Sequence, residues 1–502
     1  MPASIISMRA ATVGLSALLA CSSLVACGSS SSRADRPGVS GRAPERAITV
    51  DGVVDEWPLD SVMTADEHYL YMRFLLEGDP VALQANDETV TIRLDLDGSA
   101  GTGRVFDDPA EGAAMGIDLA IHMSPQDEDG SVTRGSSAVA YLGEMDEDGE
   151  DPGTPIDLSA VDYHTAPSFA SSWFEARLAR DLAGLGLPVA RDGDRAAGMV
   201  VVRGPSGAAE GWSAPFSAEL PALAERPALA DVRIPPKPSR AIRVVCWNVL
   251  FASPSERPRP FARVLRELDP DIILLQEWTE DPIHIRGWFN ALMPRPTSWN
   301  VRTGEGWGVA VVSHHPVDDF AATELLIPGE DRPVNFVGGL VRTPRGDVAA
   351  ASVHLKCCGG LDTEEDFRRA AEAQAINTEL LQAFADANAD LRVVAGDMNL
   401  VGSPGPLDTL RAGLGRDGSD LSVARALHLG DRAAYTWRKV GEVFVPSRLD
   451  YTLVDTDEAE IVNAFVLDTS RLTPNALRAN KLQAGDTGVS DHLPLVVDIR
   501  PR

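Results

Sequence analysis

The second half of the chain alternates short apolar runs with longer segments of helical periodicity, and this pattern constrains the fold more than any other feature. The apolar runs span residues 242–249, 271–275, 308–313, 348–354, 391–395, 449–454 and 493–499. Helical spacing over residues 363–387, at Phe367, Ala371, Ala375, Leu380, Leu381 and Phe384, predicts one long helix. Because strands that alternate with helices are typical of α/β proteins, we expect an α/β domain over residues 241–502.

A proline-rich segment marks the start of this domain. Three of the four residues at 235–238 are proline, which predicts an extended, semi-rigid spacer. A chain of 502 residues also exceeds the length of one ordinary domain. We therefore predict a first domain over residues 47–230, a linker over residues 231–240 and a second domain over residues 241–502.

The first domain has the pattern of an all-β protein. Short runs rich in β-branched and aromatic residues, at 69–75, 89–94, 117–121 and 199–202, are separated by turn-forming residues. This pattern predicts a β-sandwich. Residues 48–58 and 95–103 loosely resemble segments of carbohydrate-binding-module and DOMON-like β-sandwich domains. The resemblance makes glycan binding one hypothesis for this domain.

Acidic loops in the first domain raise a second hypothesis. Carboxylates cluster at Asp95 and Asp97, at residues 127–129 and at residues 146–151. Such clusters suit a structural Ca²⁺ ion, which takes six to eight oxygen ligands. None of the clusters has the full EF-hand spacing, so the alternative is a solvated acidic surface.

The N-terminus has the features of an export signal. Residues 1–27 combine Arg9 with an uncharged apolar stretch over residues 10–26. The sequence Leu24-Val25-Ala26-Cys27 resembles the bacterial lipobox, which implies cleavage before Cys27 and acylation of its thiol. Residues 28–46 are rich in Ser, Gly, Pro and Arg and predict a flexible tether. We expect an exported lipoprotein held on the extracytoplasmic side of a membrane; the alternative is a secreted protein without acylation.

Composition excludes several classes of protein. Five cysteines in 502 residues exclude a disulfide-built scaffold. Beyond residue 27, no apolar run is long enough to cross a bilayer, which excludes a polytopic membrane protein. The net charge is −29, and residues 1–239 carry 17 Lys and Arg against 37 Asp and Glu. The chain therefore lacks the positive field that non-specific binding to polyanions requires.

Polar side chains interrupt or follow the apolar runs of the second domain. They are Asn248, Glu277, His354, Asp397, Asn399, Asp450, Asp491 and His492. Each of them alone is explained by a turn, a strand exit or a satisfied core position. Together they bring carboxylates to converging strand ends, where they would repel one another unless a cation lies among them. Oxygen ligands without cysteine favour one or two Mg²⁺ or Mn²⁺ ions over Zn²⁺.

The order of these residues resembles a known superfamily. The matching blocks are Trp247-Asn248, Gln276-Glu277, His354-Leu355, Gly396-Asp397-Met398-Asn399, Leu449-Asp450-Tyr451 and Ser490-Asp491-His492. As a set they resemble the endonuclease/exonuclease/phosphatase superfamily, which includes DNases, neutral sphingomyelinases and inositol-polyphosphate 5-phosphatases. The resemblance covers residues 241–502 and implies a four-layer α/β sandwich and metal-dependent hydrolysis of phosphate esters.

The resemblance also implies a role for each residue. Glu277 would be the main metal ligand with Asn248 beside it, and Asp491 would ligate or help to bind the metal. Asp397 would orient or deprotonate the attacking water, and Asn399 would hold that water or a phosphate oxygen. Asp450 would fix the tautomer of His492, which would stabilise the phosphate in the transition state. His354 would contact phosphate or assist the leaving group.

The substrate stays open at this stage. Nucleic acid, a phospholipid head group and a small phosphate ester are all compatible with the motifs, and no obligate protein partner is evident. Residues 240–502 have a net charge of −9, which disfavours a DNA substrate. The alternative function is a catalytically silent lipoprotein whose β-sandwich captures a glycan or another surface ligand.

Overall fold

The computed structural model describes residues 40–41, 47–58, 62–106, 115–127, 130–145, 150–189, 192–213, 215–224 and 228–502. The predicted signal peptide, Cys27 and most of the predicted tether lie outside these residues. So do parts of the acidic loops at 127–129 and 146–151. Within the described ranges, no helix combines the length and apolarity needed to cross a bilayer.

The first domain consists of two antiparallel sheets packed face to face. Its strands are β1 (Ser40–Gly41), β2 (Met63–Ala65), β3 (Tyr69–Leu75), β4 (Thr89–Asp95), β5 (Leu119–Met123), β6 (Ser136–Ala140), β7 (Thr154–Ile156), β8 (His164–Ala166), β9 (Trp173–Ala179), β10 (Arg195–Arg203), β11 (Ala209–Trp212) and β12 (Phe216–Glu219). One sheet has the order β1-β12-β10-β4-β5-β6-β7 with β11 beside β10, and β1 joins it in parallel; the other has the order β2-β3-β9-β8. The prediction of an all-β first domain is confirmed.

Alternation along the strands explains this packing. Val90, Ile92 and Leu94 on β4 are fully buried and belong to the same cluster as Phe74 and Phe174 of the other sheet, whose rings stack at 5.7 Å. Burying each such side chain contributes about 1.5–3 kcal/mol, so this shared face holds the two sheets together.

The second domain contains two further sheets and six helices. Its strands are β13 (Ile242–Asn248), β14 (Ile272–Gln276), β15 (Asn300–Thr303), β16 (Ala310–Ser313), β17 (Val317–Asp319), β18 (Phe336–Thr343), β19 (Gly346–His354), β20 (Leu391–Asp397), β21 (Ser422–Val423), β22 (Leu427–His428), β23 (Asp450–Val454), β24 (Ala459–Val466) and β25 (Leu495–Pro501). The helices are α1 (Ser253–Glu256), α2 (Pro258–Leu268), α3 (Pro282–Leu292), α4 (Glu364–Asp386), α5 (Gly405–Arg411) and α6 (Pro474–Ala479). The sheet orders are β15-β16-β14-β13-β25-β24-β22 and β17-β18-β19-β20-β23-β21.

These elements form four layers. The two sheets share a buried cluster that includes Val244, Ile272 and Val393. On the outer face of the first sheet, α2 and α3 pack through residues such as Phe261 and Phe289. On the outer face of the second sheet, α4 and α5 supply another cluster. The helix–sheet–sheet–helix order confirms the predicted four-layer α/β sandwich.

The long helix α4 begins and ends where the sequence predicts. Thr363 is its N-cap, and its side chain accepts a hydrogen bond from the Asp366 amide. The predicted buried face is only partly right. Leu380 and Phe384 are buried, but Phe367 is 62% and Leu381 45% exposed. The helix turns a narrower apolar stripe to the sheet than the spacing suggests, because polar and charged side chains share its buried face. The buried residues of the helix are Asp366, Arg369, Glu372, Ala373, Ile376, Asn377, Leu380, Ala383 and Phe384.

The linker lies along the second domain. The Pro235 carbonyl accepts a hydrogen bond from Arg243 Nη2 at 2.8 Å, and the Ile234 amide donates to Asn480 Oδ1 at 2.9 Å. Lys237 Nζ donates to Asp271 Oδ2 at 2.9 Å. The segment therefore packs against the second domain, while its role as a semi-rigid spacer stays a prediction.

Ion pairs join the two domains directly. Arg177 on β9 makes a two-pronged contact with Asp431, with distances of 2.6 and 2.7 Å. Its side chain is 1% exposed, so the pair is buried in the interface. Arg425 Nε donates to Asp51 Oδ2 at 2.7 Å. The domains therefore form an extensive polar interface in addition to the covalent linker.

Candidate active site

Polar side chains from both sheets of the second domain meet at one end of the sandwich. In the second sheet, His354 at the end of β19 pairs in register with Asp397 at the end of β20, and Asp397 pairs with Asp450 at the start of β23. In the first sheet, Asn248 ends β13 opposite Gln276 of β14. The register thus brings residues that are up to 200 positions apart to a single rim.

Asn248 joins the two sheets at this rim. Its Nδ2 donates to Glu277 Oε1 and to Asp397 Oδ2, both at 3.0 Å. Its Oδ1 accepts a hydrogen bond from the Leu250 amide at 3.1 Å. The amide nitrogen of Asn248 therefore faces the two carboxylates and holds them side by side, while its predicted role as a metal ligand stays a prediction.

Glu277 is fixed by an unusual local backbone. It has a φ of 62° just beyond β14, and Gly308 packs so closely that a Cβ there would lie 2.8 Å from the Glu277 Cα. Burial raises the pKa of Glu277, and hydrogen bonding from Asn248 opposes the rise. Its Oε2 is buried and has no hydrogen-bond partner. Positive φ at a non-glycine residue is characteristic of functional sites, where surrounding structure enforces it.

Asp397 lies at the centre of the cluster. It is 1% exposed, and its Oδ1 accepts a hydrogen bond from the Asn399 amide at 3.0 Å. Burial raises its pKa to about 7, against the opposing influence of His492. A carboxyl group with a pKa near neutrality is suited to accept and release a proton during a reaction.

The two histidines have opposite electrostatic surroundings. His492 Nδ1 lies 2.8 Å from Asp450 Oδ2, and its Nε2 lies 3.5 Å from Asp397 Oδ2. Burial would lower its pKa, but the negative charges of Asp450 and Asp397 outweigh burial and raise the pKa to about 10. His354 Nε2 lies 3.7 Å from Asp397 Oδ2, yet burial and the charge of His492 lower its pKa to about 4. One imidazole is therefore cationic and the other neutral at neutral pH.

The remaining predicted residues lie at the edge of this centre. Asp491 Oδ2 accepts a hydrogen bond from Trp437 Nε1 at 3.2 Å, and its Oδ1 is buried without a partner. Asn399 has a φ of 48°, and its Nδ2 donates to the Leu355 carbonyl at 3.0 Å. Glu305, on the loop that follows β15, is exposed and belongs to none of the carboxylate and histidine groups found among the described residues.

The donor set fits a divalent cation. Carboxylate and imidazole atoms of Glu277, His354 and Asp397 lie within 4.8 Å of one another, as do those of Asp397, Asp450 and His492. Three buried carboxylate oxygens, on Glu277, Asp450 and Asp491, have no hydrogen-bond partner. Buried oxygens are normally paired, so this concentration of orphaned anionic oxygens is the arrangement that a hard cation satisfies.

Two supporting hydroxyl groups have no role assigned from the sequence, although Ser490 belongs to one of the matching blocks. Ser490 Oγ donates to the Asn248 carbonyl at 2.8 Å and accepts from the His492 amide at 3.1 Å. Thr436 Oγ1 accepts hydrogen bonds from the Leu449 and Asp450 amides at 3.0 and 2.9 Å. Ser490 directly precedes the Asp491-His492 pair and could have been found, whereas Thr436 lies in a loop with no distinguishing pattern.

The β-sandwich also reaches the loops that carry the site. Ser168 Oγ is 2.8 Å from the Leu400 carbonyl and 3.0 Å from the Arg448 carbonyl. The Ala170 amide donates to the Gly402 carbonyl at 2.7 Å. These contacts support the segments that follow Asn399 and precede Asp450.

An aromatic pair stands at the rim. Phe251 and Trp307 are 50% and 40% exposed, and their ring centroids lie 5.3 Å apart. Phe251 follows β13 closely, and Trp307 precedes the glycine that packs on Glu277. The two exposed rings give this part of the rim an apolar surface.

A four-layer α/β sandwich with this carboxylate and histidine cluster at one end defines the class of metal-dependent phosphoester hydrolases. Residues 245–492 match the model of the Endonuclease/Exonuclease/phosphatase family, so the second domain belongs to that family. Enzymes of this family generally depend on divalent metals. The family match, together with the carboxylate and histidine cluster, supports a metal-dependent phosphoester hydrolase. The predicted recognition of the family and the enzyme class are confirmed.

Several solved structures are similar to about half of the chain. An AP endonuclease from Archaeoglobus fulgidus is 15% identical, covers 51% of this chain and 98% of its own, and has a TM-score of 0.35. The NExo 3'-5' exonuclease from Neisseria meningitidis is 18% identical over 52% and 100%, with a TM-score of 0.35. Sphingomyelinase C from Streptomyces griseocarneus is 16% identical over 51% and 99%, with a TM-score of 0.35. No curated protein matches the chain.

Proposed function

We propose that the protein is an exported, lipid-anchored enzyme that hydrolyses phosphodiester or phosphomonoester bonds by in-line attack of water. The observation that carries the catalytic part is the set of orphaned carboxylate oxygens around Asp397. Leaving these oxygens buried and unsatisfied would cost roughly 1–3 kcal/mol each, so they favour occupancy by Mg²⁺ or Mn²⁺.

Glu277 would hold the cation, with Asp397 or Asp491 beside it. When bound, a divalent cation stabilises negative charge that develops on the phosphate and lowers the pKa of a coordinated water. Asn248 keeps the Glu277 and Asp397 carboxylates together through its amide nitrogen. The carboxylate oxygens of Glu277, Asp397 and Asp491 are donors that suit Mg²⁺ and Mn²⁺.

The other residues accept protons or stabilise developing charge. Asp397 orients the attacking water and accepts its proton, because its pKa of about 7 suits both states. His492, kept cationic by Asp450, stabilises the phosphoryl oxygens as negative charge builds on them. Neutral His354 contacts the phosphate or the leaving group, and the Asn399 amide oxygen holds the water or a phosphate oxygen.

Hydrolysis assays on the purified full-length protein test this function. We would offer plasmid DNA, sphingomyelin, bis-(p-nitrophenyl) phosphate and p-nitrophenyl phosphate with Mg²⁺ or Mn²⁺. We expect turnover of at least one substrate, loss of turnover with EDTA, and loss in Glu277→Gln and His492→Ala. Glu305→Gln, a nearby exposed carboxylate, is the matched control and should keep activity. No turnover and no binding of Mg²⁺ or Mn²⁺ would favour the silent binding lipoprotein instead.

The anchor is proposed from the lipobox-like sequence that ends at Cys27. Several acyl chains on one cysteine bind a bilayer stably, because each buried CH₂ contributes about 0.8 kcal/mol. Mass spectrometry of the mature N-terminus should find an acylated Cys27, and Cys27→Ala should release the protein into the soluble fraction. An unmodified mature N-terminus would identify a secreted protein without an anchor. Glycan binding by the β-sandwich stays a prediction, testable by a glycan array.

A further inference from the structure

The loop after β4 brings three carboxylates of the β-sandwich together. Asp95 ends β4, Asp97 follows two residues later, and Asp118 immediately precedes β5. One carboxylate oxygen from each lies within 4.8 Å of the others. This cluster lies in the first domain and shares no residue with the catalytic centre. The sequence alone indicates the pair Asp95 and Asp97, whereas Asp118 joins them only through the fold.

Asp118 carries the argument. Its side chain is fully buried, with 0% exposure, and its Oδ1 has no hydrogen-bond partner. Its Oδ2 accepts one bond, from the Leu96 amide at 2.8 Å. A solvated acidic surface, the alternative explanation for acidic residues in this loop, does not account for a carboxylate that water does not reach. Buried polar atoms that lack partners are uncommon, so an Oδ1 acceptor without a donor points to a ligand.

No positive side chain compensates the cluster. None of the three carboxylates takes part in an ion pair within the part of the chain that the structure describes. Asp95 Oδ1 accepts from the Gly98 amide at 2.7 Å, and Asp97 Oδ1 accepts from the Thr102 hydroxyl at 3.0 Å. The Ser99 amide also donates to Asp95 Oδ1 at 3.2 Å and to Asp97 Oδ1 at 2.9 Å. Because all of these donors are neutral amide or hydroxyl groups, the three carboxylates keep an excess of negative charge that a cation would offset.

We propose that Asp95, Asp97 and Asp118 bind a Ca²⁺ ion that ties the β4–β5 loop of the β-sandwich to β5. Calcium fits better than magnesium, because Ca²⁺ accepts several carboxylates in irregular geometry while Mg²⁺ demands a near-ideal octahedron and retains its waters. A transition metal is disfavoured, because the cluster has neither histidine nor cysteine. The proposal does not depend on the proposed catalytic function.

Thermal unfolding of the full-length protein, stripped with EGTA and returned to CaCl₂ or MgCl₂, tests the site. We expect Ca²⁺ to raise the Tm of the wild type by about 5 °C at saturating concentration, and Mg²⁺ to raise it less. Isothermal titration should find a Ca²⁺ site that persists in Glu277→Gln, in which the catalytic cluster is impaired. Ca²⁺ binding that persists in the Glu277→Gln variant would therefore come from the β-sandwich site and not from the active site.

Variants of the cluster decide the outcome. Asp118→Asn and Asp97→Asn should abolish the Ca²⁺-dependent shift, while Asp79→Asn, an exposed acidic residue of the same domain, should keep it. Far-UV circular dichroism checks that each variant folds, and the partly exposed Asp97 variant serves if Asp118→Asn does not fold. An equal shift in the cluster variants and the wild type, or no shift in the wild type, would overturn the proposal.

Discussion

Single residues at the active site are tuned by their immediate neighbours. His354 and His492 lie against the same carboxylate, Asp397, but only His492 has a second acidic partner at hydrogen-bond distance. Asp450 supplies that partner, and its contact with Nδ1 leaves Nε2 facing the site. The sequence offers two histidines in similar strand-end positions, and only the structure separates their roles.

We expect Asp450→Asn to lower kcat by about 10²-fold or more, because the amide cannot stabilise a cationic His492 or hold the same tautomer. The pKa of His492 should fall from its raised value of about 10, which NMR titration would measure. Asp417→Asn, an exposed aspartate on the second domain, is the control. An unchanged kcat together with a lowered pKa of His492 would show that a cationic His492 does not stabilise the developing charge.

The exposed aromatic pair Phe251 and Trp307 leads to a prediction about KM rather than kcat. If Trp307 contacts the substrate outside the reacting phosphate, Trp307→Ala should raise KM several-fold with little change in kcat. Steady-state kinetics on a large and a small substrate would measure this, and the effect should be greatest for the larger one. Phe367→Ala, an exposed aromatic on α4, is the matched control. Equal KM values for Trp307→Ala and the wild type on both substrates would exclude the contact.

At the scale of elements, much of the second domain could be predicted. Apolar runs with polar ends give strands β13, β14, β19, β20 and β23 to within a few residues, because parallel and central strands are buried on both faces. The polar residues at their ends could be predicted to meet for the same reason. The short strands β21 and β22 could not, because two-residue strands depend on neighbours that are distant in sequence.

The cap of α4 provides a test at this scale. Thr363 Oγ1 accepts from the Asp366 amide and donates to the Gly360 carbonyl, so it anchors the loop that follows β19 as well as the helix. We expect Thr363→Ala to lower the free energy of unfolding by about 1 kcal/mol, measured by urea denaturation. Thr378→Ala, exposed within the same helix, should cost much less. Equal losses for the two variants would show that the cap contributes nothing specific.

The whole molecule depends on contacts that no local pattern encodes. Arg177 and Asp431 are 254 positions apart, yet they form the buried ion pair between the domains. Likewise, Val445 of the second domain belongs to the hydrophobic core of the β-sandwich. A sequence can indicate two domains and a linker, but it cannot indicate which charged residues will be paired when the domains meet.

Acid should weaken this interface. Burial would raise the pKa of Asp431, but the hydrogen bonds and charge of Arg177 outweigh burial and hold the pKa well below its usual range. The pair therefore adds stability above the unfolded pKa of about 4, and the addition is lost as pH falls further. Asp431→Asn should destabilise the protein by roughly 3–5 kcal/mol at pH 7 and flatten its acid dependence between pH 5 and about 2. Thermal unfolding at several pH values would measure both; a parallel acid dependence in variant and wild type would contradict the assignment.

The position of the short strand β1 limits how far the enzyme could lie from a lipid on Cys27. Ser40 pairs with Ser217 at the edge of the larger sheet of the β-sandwich. Twelve residues separate Cys27 from Ser40, and a fully extended chain of this length spans at most about 45 Å. A lipid on Cys27 would keep the enzyme within a thin layer next to the membrane that holds the lipid. Phosphate esters displayed on that surface would then meet the catalytic rim at local concentrations in the millimolar range, whatever their concentration in the surrounding medium.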